Sequence, residues 1–183
     1  MPKVLVPLAQ GCEEMEAVTI IDILRRAEFT VVTAGLDAQP VRASRGTVLL
    51  PDMPLDKALE QDFDMVVLPG GLPGSDHLDA DRRIHGLLVK MANSGKFAGA
   101  ICAAPKVLAR AGLLEGKKAT SYPGVLDQMA LNNVTYTGEA VVRDGNIVTS
   151  RGPGTALDFA LTIVEMLAGK SARDKVEKAL VRE

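Results

Sequence analysis

Residues 97–112 read FAGAICAAPKVLARAG, and the placing of Cys102 within them decides the fold. FAGAI is an apolar run of strand type, after which small residues and Pro105 open a segment of helical periodicity. The cysteine therefore stands at a strand-to-helix turn, an elbow of the kind at which α/β proteins present a nucleophile. Free backbone N–H groups and the positive end of the helix dipole favour a thiolate there. A second reading is that Cys102 is a small buried residue that packs well.

Outward from this elbow the chain alternates. KVLVPLA (3–9) is a buried strand, EEMEAVTIIDILRRA (13–27) an amphipathic helix and FTVVTAGL (29–36) a β-branched strand, together a β-α-β unit. VRASRGTVLLP (41–51) reads as a hairpin around Arg45-Gly46, and DMVVLPGG (64–71) as a buried strand running into glycines. A polar helix spans 79–94 and stops at Gly95. KKATSY (117–122), YTGEAVVRDG (136–145) and NIVTS (146–150) read as strands, with a helix over GVLDQMAL (124–131). Two helices, 153–170 and 172–181, close the chain. Strands bounded by helices, without a linker or repeat, predict one α/β domain over residues 1–183, its mostly parallel sheet covered on both faces.

The composition fits. The chain has 183 residues, 47% apolar and 24% charged, with a formal net charge of -2. That balance lacks the basic excess of nucleic-acid or acidic-membrane partners, so neither is expected. Two cysteines about ninety positions apart, with His77 and His85 as the only imidazoles, give neither a disulfide framework nor a metal-binding spacing. No metal is expected. The first apolar run is too short to span a membrane, and Glu13, Glu14 and Glu16 follow it at once, unlike a signal peptide; a cytoplasmic protein is the expectation.

In a parallel α/β sheet, ligands sit beyond the carboxyl ends of the strands. Three loops would meet there: GCEEME, PGGLPG and CAAP. Glu16 is in helical phase with Ile20, Ile23, Leu24 and Ala27, so it belongs to the inward stripe of its helix. Burial would raise its pKa, and a protonated Glu16 could donate to a Cys102 thiolate or later act as a base. The plainer reading is that Glu13, Glu14 and Glu16 complement the helix N-terminus. PGGLPG (69–74) offers N–H groups free of Cβ atoms, as an oxyanion hole requires, and is equally an ordinary turn.

G-C-E-E-M-E-A-V (11–18), V-V-L-P-G-G (66–71), A-I-C-A-A-P (100–105) and S-R-G-P-G-T (150–155) resemble the ThiJ/PfpI superfamily, and within it the parkinsonism-associated deglycase branch with its bacterial ThiJ-type homologues. The resemblance is collinear along nearly the whole chain. It implies a flavodoxin-like three-layer sandwich that forms a homodimer, a nucleophile at Cys102 and its carboxyl partner at Glu16. It also implies backbone donors at Gly70, Gly71 and Ala103, with Arg45 and Arg26 near the cysteine pocket around the dimer interface. Read alone, the two arginines are a hairpin surface charge and a cation at a helix C-terminus. Where better-studied members of the family carry a histidine, this chain has Tyr122, a hydrogen-bond donor but no base near neutral pH. No histidine follows Cys102, which excludes the Cys-His peptidase arrangement. Cys12 replaces a small residue and reads either as a resolving thiol for a Cys102 sulfenate or as an inert buried thiol.

The resemblance implies cysteine-dependent chemistry on small aldehydes or dicarbonyls, of the glutathione-independent glyoxalase or deglycase type, with methylglyoxal becoming lactate. The alternative is an oxidative-stress sensor or redox-regulated chaperone working through a Cys102 sulfinate. A flavodoxin-like nucleotide-binding domain is a third option, which the absence of a phosphate-loop pattern disfavours. No cofactor is implied.

Overall fold

A computed structural model describes residues 1–182. The chain opens with β1 (Lys3–Leu8), α1 (Glu14–Arg26) and β2 (Thr30–Gly35), and continues into an antiparallel hairpin of β3 (Val41–Arg42) and β4 (Val48–Leu49). β5 (Met53–Pro54), α2 (Leu55–Ala58), β6 (Met65–Leu68), α3 (Gly74–Ala80), α4 (Arg82–Asn93), β7 (Phe97–Ile101) and α5 (Pro105–Arg110) follow. The last third holds β8 (Lys118–Ala119), β9 (Thr135–Tyr136), β10 (Val141–Asp144), β11 (Ile147–Ser150), α6 (Ala156–Ala168) and α7 (Lys170–Ala179).

Seven strands form the main sheet in the order β10-β11-β7-β6-β1-β2-β5, parallel throughout except for the β10–β11 edge pair. The residues of the central strands divide by the pleat. Val4, Val6 and Leu8 of β1 and Met65 and Val67 of β6 face one layer, with Ile20 and Leu24 of α1 and Phe159 and Ile163 of α6. Leu5, Val66 and Leu68 face the other, with Leu55, Ile84, Leu88 and Val107 from α2, α4 and α5. Burial on both faces is why these strands read as unbroken apolar runs. The result is the expected flavodoxin-like three-layer sandwich.

Four local expectations change. The helix expected over 79–94 is two: Asp81 leaves helical geometry and its carboxylate accepts from the N–H of Arg83, capping α4, while α3 begins earlier at Gly74. The helix expected over 124–131 is a single 3-10 turn, Leu126–Gln128. The strands expected over 117–122 and 136–145 shrink to β8 and β10, and β9 pairs with β8 outside the main sheet. β5 and α2 were not expected, being too short to carry a period.

The order of the sheet positions the site. The chain steps from β1 outward to β2 and β5, then returns to the other side of β1 at β6. β7, β6 and β1 are therefore neighbours, and the loops leaving their carboxyl ends lie side by side at the switch point. No helix among the described residues is long and apolar enough to cross a membrane.

Candidate functional site

Cys102 follows β7 directly and has φ +64, a left-handed conformation that a non-glycine residue adopts only at a cost of about 1–3 kcal/mol. Surrounding bonds hold it there. Its N–H donates to the carbonyl of Ser150 (2.9 Å), its carbonyl accepts from the N–H of Tyr122 (2.8 Å), and the N–H of Ala104 closes the turn on Ile101 (3.0 Å). The residue is only 8% exposed.

Glu16 reaches this thiol from the first turn of α1. Its side chain is completely buried, on the same stripe as Ala17, Ile20, Ile23 and Leu24. The Oε2 accepts from the N–H of Gly70 at 2.8 Å, while Oε1 has no hydrogen-bond partner. Burial, only partly offset by the Gly70 N–H and the Cys102 thiol, raises this carboxyl to about 7. Burial also pushes the Cys102 thiol up to about 12, with the charge of Glu16 adding to it and the N–H groups of Gly71 and Ala103 pulling the other way. Two acids in one dry site resist carrying two negative charges, so near neutral pH the pair carries no more than one, and the thiol keeps its proton. The expected thiolate beside a protonated Glu16 is therefore replaced by a protonated thiol beside a raised carboxyl, because burial and Glu16 outweigh a helix, α5, of only six residues.

Gly70 and Gly71 divide the donor work. A Cβ on Gly70 would lie 2.6 Å from the Cys102 Cβ and 2.8 Å from the Glu16 Oε2, so any side chain there would separate the two acids. Its N–H, expected to face a substrate oxyanion, is instead bound to Glu16. The N–H of Gly71, a residue at φ +89, bonds the thiol beside that of Ala103.

The other acidic residues of the loop take separate roles. Glu13 is the N-cap of α1, its carboxylate accepting from the N–H of Glu16 at 2.7 Å. Glu14 turns outward and clasps the hairpin, accepting from the Ser44 hydroxyl (3.1 Å) and the N–H groups of Arg45 (3.0 Å) and Thr47 (3.3 Å). Burial opposes its charge, but these donors and its own N–H prevail and hold it at about 2.

The remaining expected residues are placed as follows. Arg45 stands at the exposed hairpin tip, joined to the site loop through Glu14 and through the bond from the N–H of Ser44 to the carbonyl of Cys12 (2.8 Å). Arg26 is not brought to the site within the chain: it is ten residues from Glu16, about 15 Å along α1, and its Nε pairs with Asp22 at 2.7 Å. Tyr122 sits beside Cys102 through its backbone, its ring 52% exposed and lying over Gly152. Cys12 is buried where Gly74 packs on its backbone, and burial, followed by the charges of Glu14 and Glu13, pushes its thiol up to about 12. Both cysteines are free. A cavity of about 390 Å³ at the ends of β1 and β2, against Ala9, Gln10, Leu36, Asp37 and His77, holds neither Cys102 nor Glu16.

The sequence reading gave no role to Ser150, whose carbonyl fixes the elbow and whose hydroxyl bonds Thr155 at 2.6 Å. The S-R-G-P-G-T stretch was the available signal, since it ends β11, the parallel neighbour of β7.

Residues 2–166 match the DJ-1/PfpI family. The protein dj-1beta of Drosophila melanogaster is 47% identical over 179 residues, covering 97% of this chain and 95% of its own. Its crystal structure superposes with a TM-score of 0.94 at 44% identity, over 100% of this chain and 98% of that one. Glutathione-independent glyoxalase DJR-1.2 of Caenorhabditis elegans is 36% identical over 171 residues, covering 93% of this chain and 91% of its own. The oxidised structure of Toxoplasma gondii DJ-1 matches with a TM-score of 0.94 at 38% identity, over 99% and 98% of the two chains.

Proposed function

The chain belongs to the DJ-1/PfpI family, and from that premise we propose that it converts small reactive dicarbonyls to hydroxy acids without glutathione, through Cys102 and Glu16. The observation that carries this reading is a buried, raised carboxyl paired with a cysteine at a strained elbow, with one carboxyl oxygen left without a partner. With methylglyoxal, the Sγ attacks the aldehyde carbon as the thiol proton passes to Glu16. The nascent oxyanion is held by the N–H groups of Gly71 and Ala103 and takes the proton back from Glu16, giving a hemithioacetal and restoring the carboxylate. Glu16, as carboxylate, then takes the proton from the former aldehyde carbon and returns it at the neighbouring carbon, giving a lactoyl thioester. Water cleaves the thioester, releasing lactate and restoring the thiol. Tyr122 is not needed as a base in this scheme. The similarity to the Caenorhabditis elegans glyoxalase supports it.

The test is lactate formation from methylglyoxal without glutathione by the wild type, Cys102→Ala and Glu16→Ala proteins. Lactate that requires both residues supports the proposal; lactate at the Cys102→Ala level in the wild type removes it.

The unpartnered Oε1 of Glu16 also favours a second reading. Hydrogen peroxide would take Cys102 through the sulfenate to a sulfinate, and a protonated Glu16 would donate to the new oxygen. Mass spectrometry of the Cys102 peptide after graded peroxide, with and without Glu16→Ala, tests it: a stable sulfinate lost in the variant is expected. For the homodimer, the exposed apolar strip of Met15, Val18, Val48 and Leu50 on α1 and the hairpin is the surface we assign to a second copy. Sedimentation of Val18→Asp as a monomer is the expected result.

A further inference from the structure

We infer that Leu72 and Tyr122 form an apolar entrance to Cys102 that selects α-oxoaldehydes bearing an aromatic or branched apolar substituent over small hydrophilic ones. The inference rests on the carbonyl reading above and names its substrate class.

Few large apolar side chains among the described residues are exposed. Of these, Met15, Val18, Val48 and Leu50 lie on α1 and the hairpin, Met1 and Val181 at the chain ends, and Val89 on α4. Leu72, 60% exposed, and Tyr122, 52% exposed, remain, and both belong to loops that build the cysteine site. Leu72 directly follows Gly71, whose N–H faces the thiol. The N–H of Tyr122 donates to the Cys102 carbonyl, and a Cβ on Gly152 would lie 3.4 Å from the Tyr122 ring, two residues beyond the Ser150 carbonyl that anchors the elbow. The two residues thus belong to loops that meet Cys102 at its thiol and at its carbonyl.

An exposed leucine and tyrosine next to a reacting thiol are apolar surface that a bound substrate can remove from water. A substrate whose aldehyde carbon lies at the Sγ has its other end at this rim. A phenyl substituent would stack on the Tyr122 ring and cover Leu72, whereas glyoxal, with hydrogen in that place, covers neither. The competing chemistry is an anionic substituent drawn to the exposed Arg151, between Ser150 and Gly152.

The test measures kcat/KM for phenylglyoxal, methylglyoxal, glyoxal and glyoxylate, each divided by the rate of its addition to a free thiol, for wild type, Leu72→Ser and Tyr122→Ser. The same proteins are alkylated by N-benzyl iodoacetamide and by iodoacetamide, with the rate read at the Cys102 peptide, which needs no turnover. The expected wild-type preference for phenylglyoxal over glyoxal is about tenfold, the scale on which small apolar contacts discriminate. It should fall to about twofold in either variant, with the benzyl reagent showing the same trend. No preference in the wild type, an unchanged preference in both variants, or a preference for glyoxylate would overturn the inference. Turnover without the aromatic preference would sink the inference and leave the carbonyl reading standing. A benzyl preference lost in the variants, with no turnover of any dicarbonyl, would sink that reading and leave the apolar entrance standing.

Discussion

Glu14 and Glu16 are two residues apart in the first turn of one helix, yet one is held at about 2 and the other at about 7. The intrinsic chemistry is identical; the helix phase is not. Glu14 points outward and meets a hydroxyl and two hairpin N–H groups, all donors to a charged carboxylate. Glu16 points inward, where a single N–H reaches it, a cysteine stands beside it and no water screens it. The outward carboxylate clasps the hairpin, and the inward one is the proton carrier of the proposed mechanism. A turn of about 100° per residue converts one sequence word into two functions.

The comparison breaks most visibly at the inward site. Replacing Cys102 by Ser should reduce dicarbonyl turnover to the uncatalysed level, measured as lactate release, while leaving the melting temperature within a few degrees. Glu16→Gln should lower kcat by about 10²–10⁴-fold, the usual contribution of a positioned acid or base.

The same substitution sharpens the electrostatic contrast. The folded pKa of Glu16 is raised from 4.5 to about 7, so its favourable contribution is complete below about 4.5 and is lost as the pH rises through 7. Wild type should therefore lose on the order of 3 kcal/mol relative to Glu16→Gln between pH 4.5 and 8, measured by urea unfolding at each pH. For Glu14 the sign reverses. Its lowered pKa supplies stability above about 4.5 that is lost as the pH falls through 2. Glu14→Gln should cost about 1 kcal/mol at pH 7, speed amide exchange in the hairpin, and change lactate release by less than about twofold. Arg26→Ala should have the smallest effect, within about 0.5 kcal/mol and without influence on the monomer's Cys102 alkylation rate, because its Asp22 pair is exposed.

Much of this was legible in the chain itself. β1, β2, β6 and β7 are apolar runs because helices cover both faces, and no other element gives that signal so plainly. The pairing of Cys102 with Glu16 followed from a strand end and a helical phase, both local properties. What could not be read was long-range or single-atom in scale. The clasp of Glu14 on Ser44 and Arg45 spans thirty residues, and nothing in either segment marks the other. That Gly70 donates to Glu16 while Gly71 donates to the thiol depends on how two successive peptide planes are turned, which no sequence period records. The break at Asp81 follows from a side chain that caps α4 more effectively than it continues α3, a choice that periodicity does not register. Strands of two residues, such as β5, β8 and β9, carry no period at all.

The coupled pair is tested most directly by a carbon-13 titration of the glutamate side-chain carboxyl groups, with the Glu16 resonance assigned by its disappearance in Glu16→Gln. A midpoint at about 7 or above, while Glu14 stays ionised to about pH 2, is the expected result. A Glu16 midpoint near the ordinary 4.5 would contradict the raised carboxyl, and with it the acid-base role given to this residue.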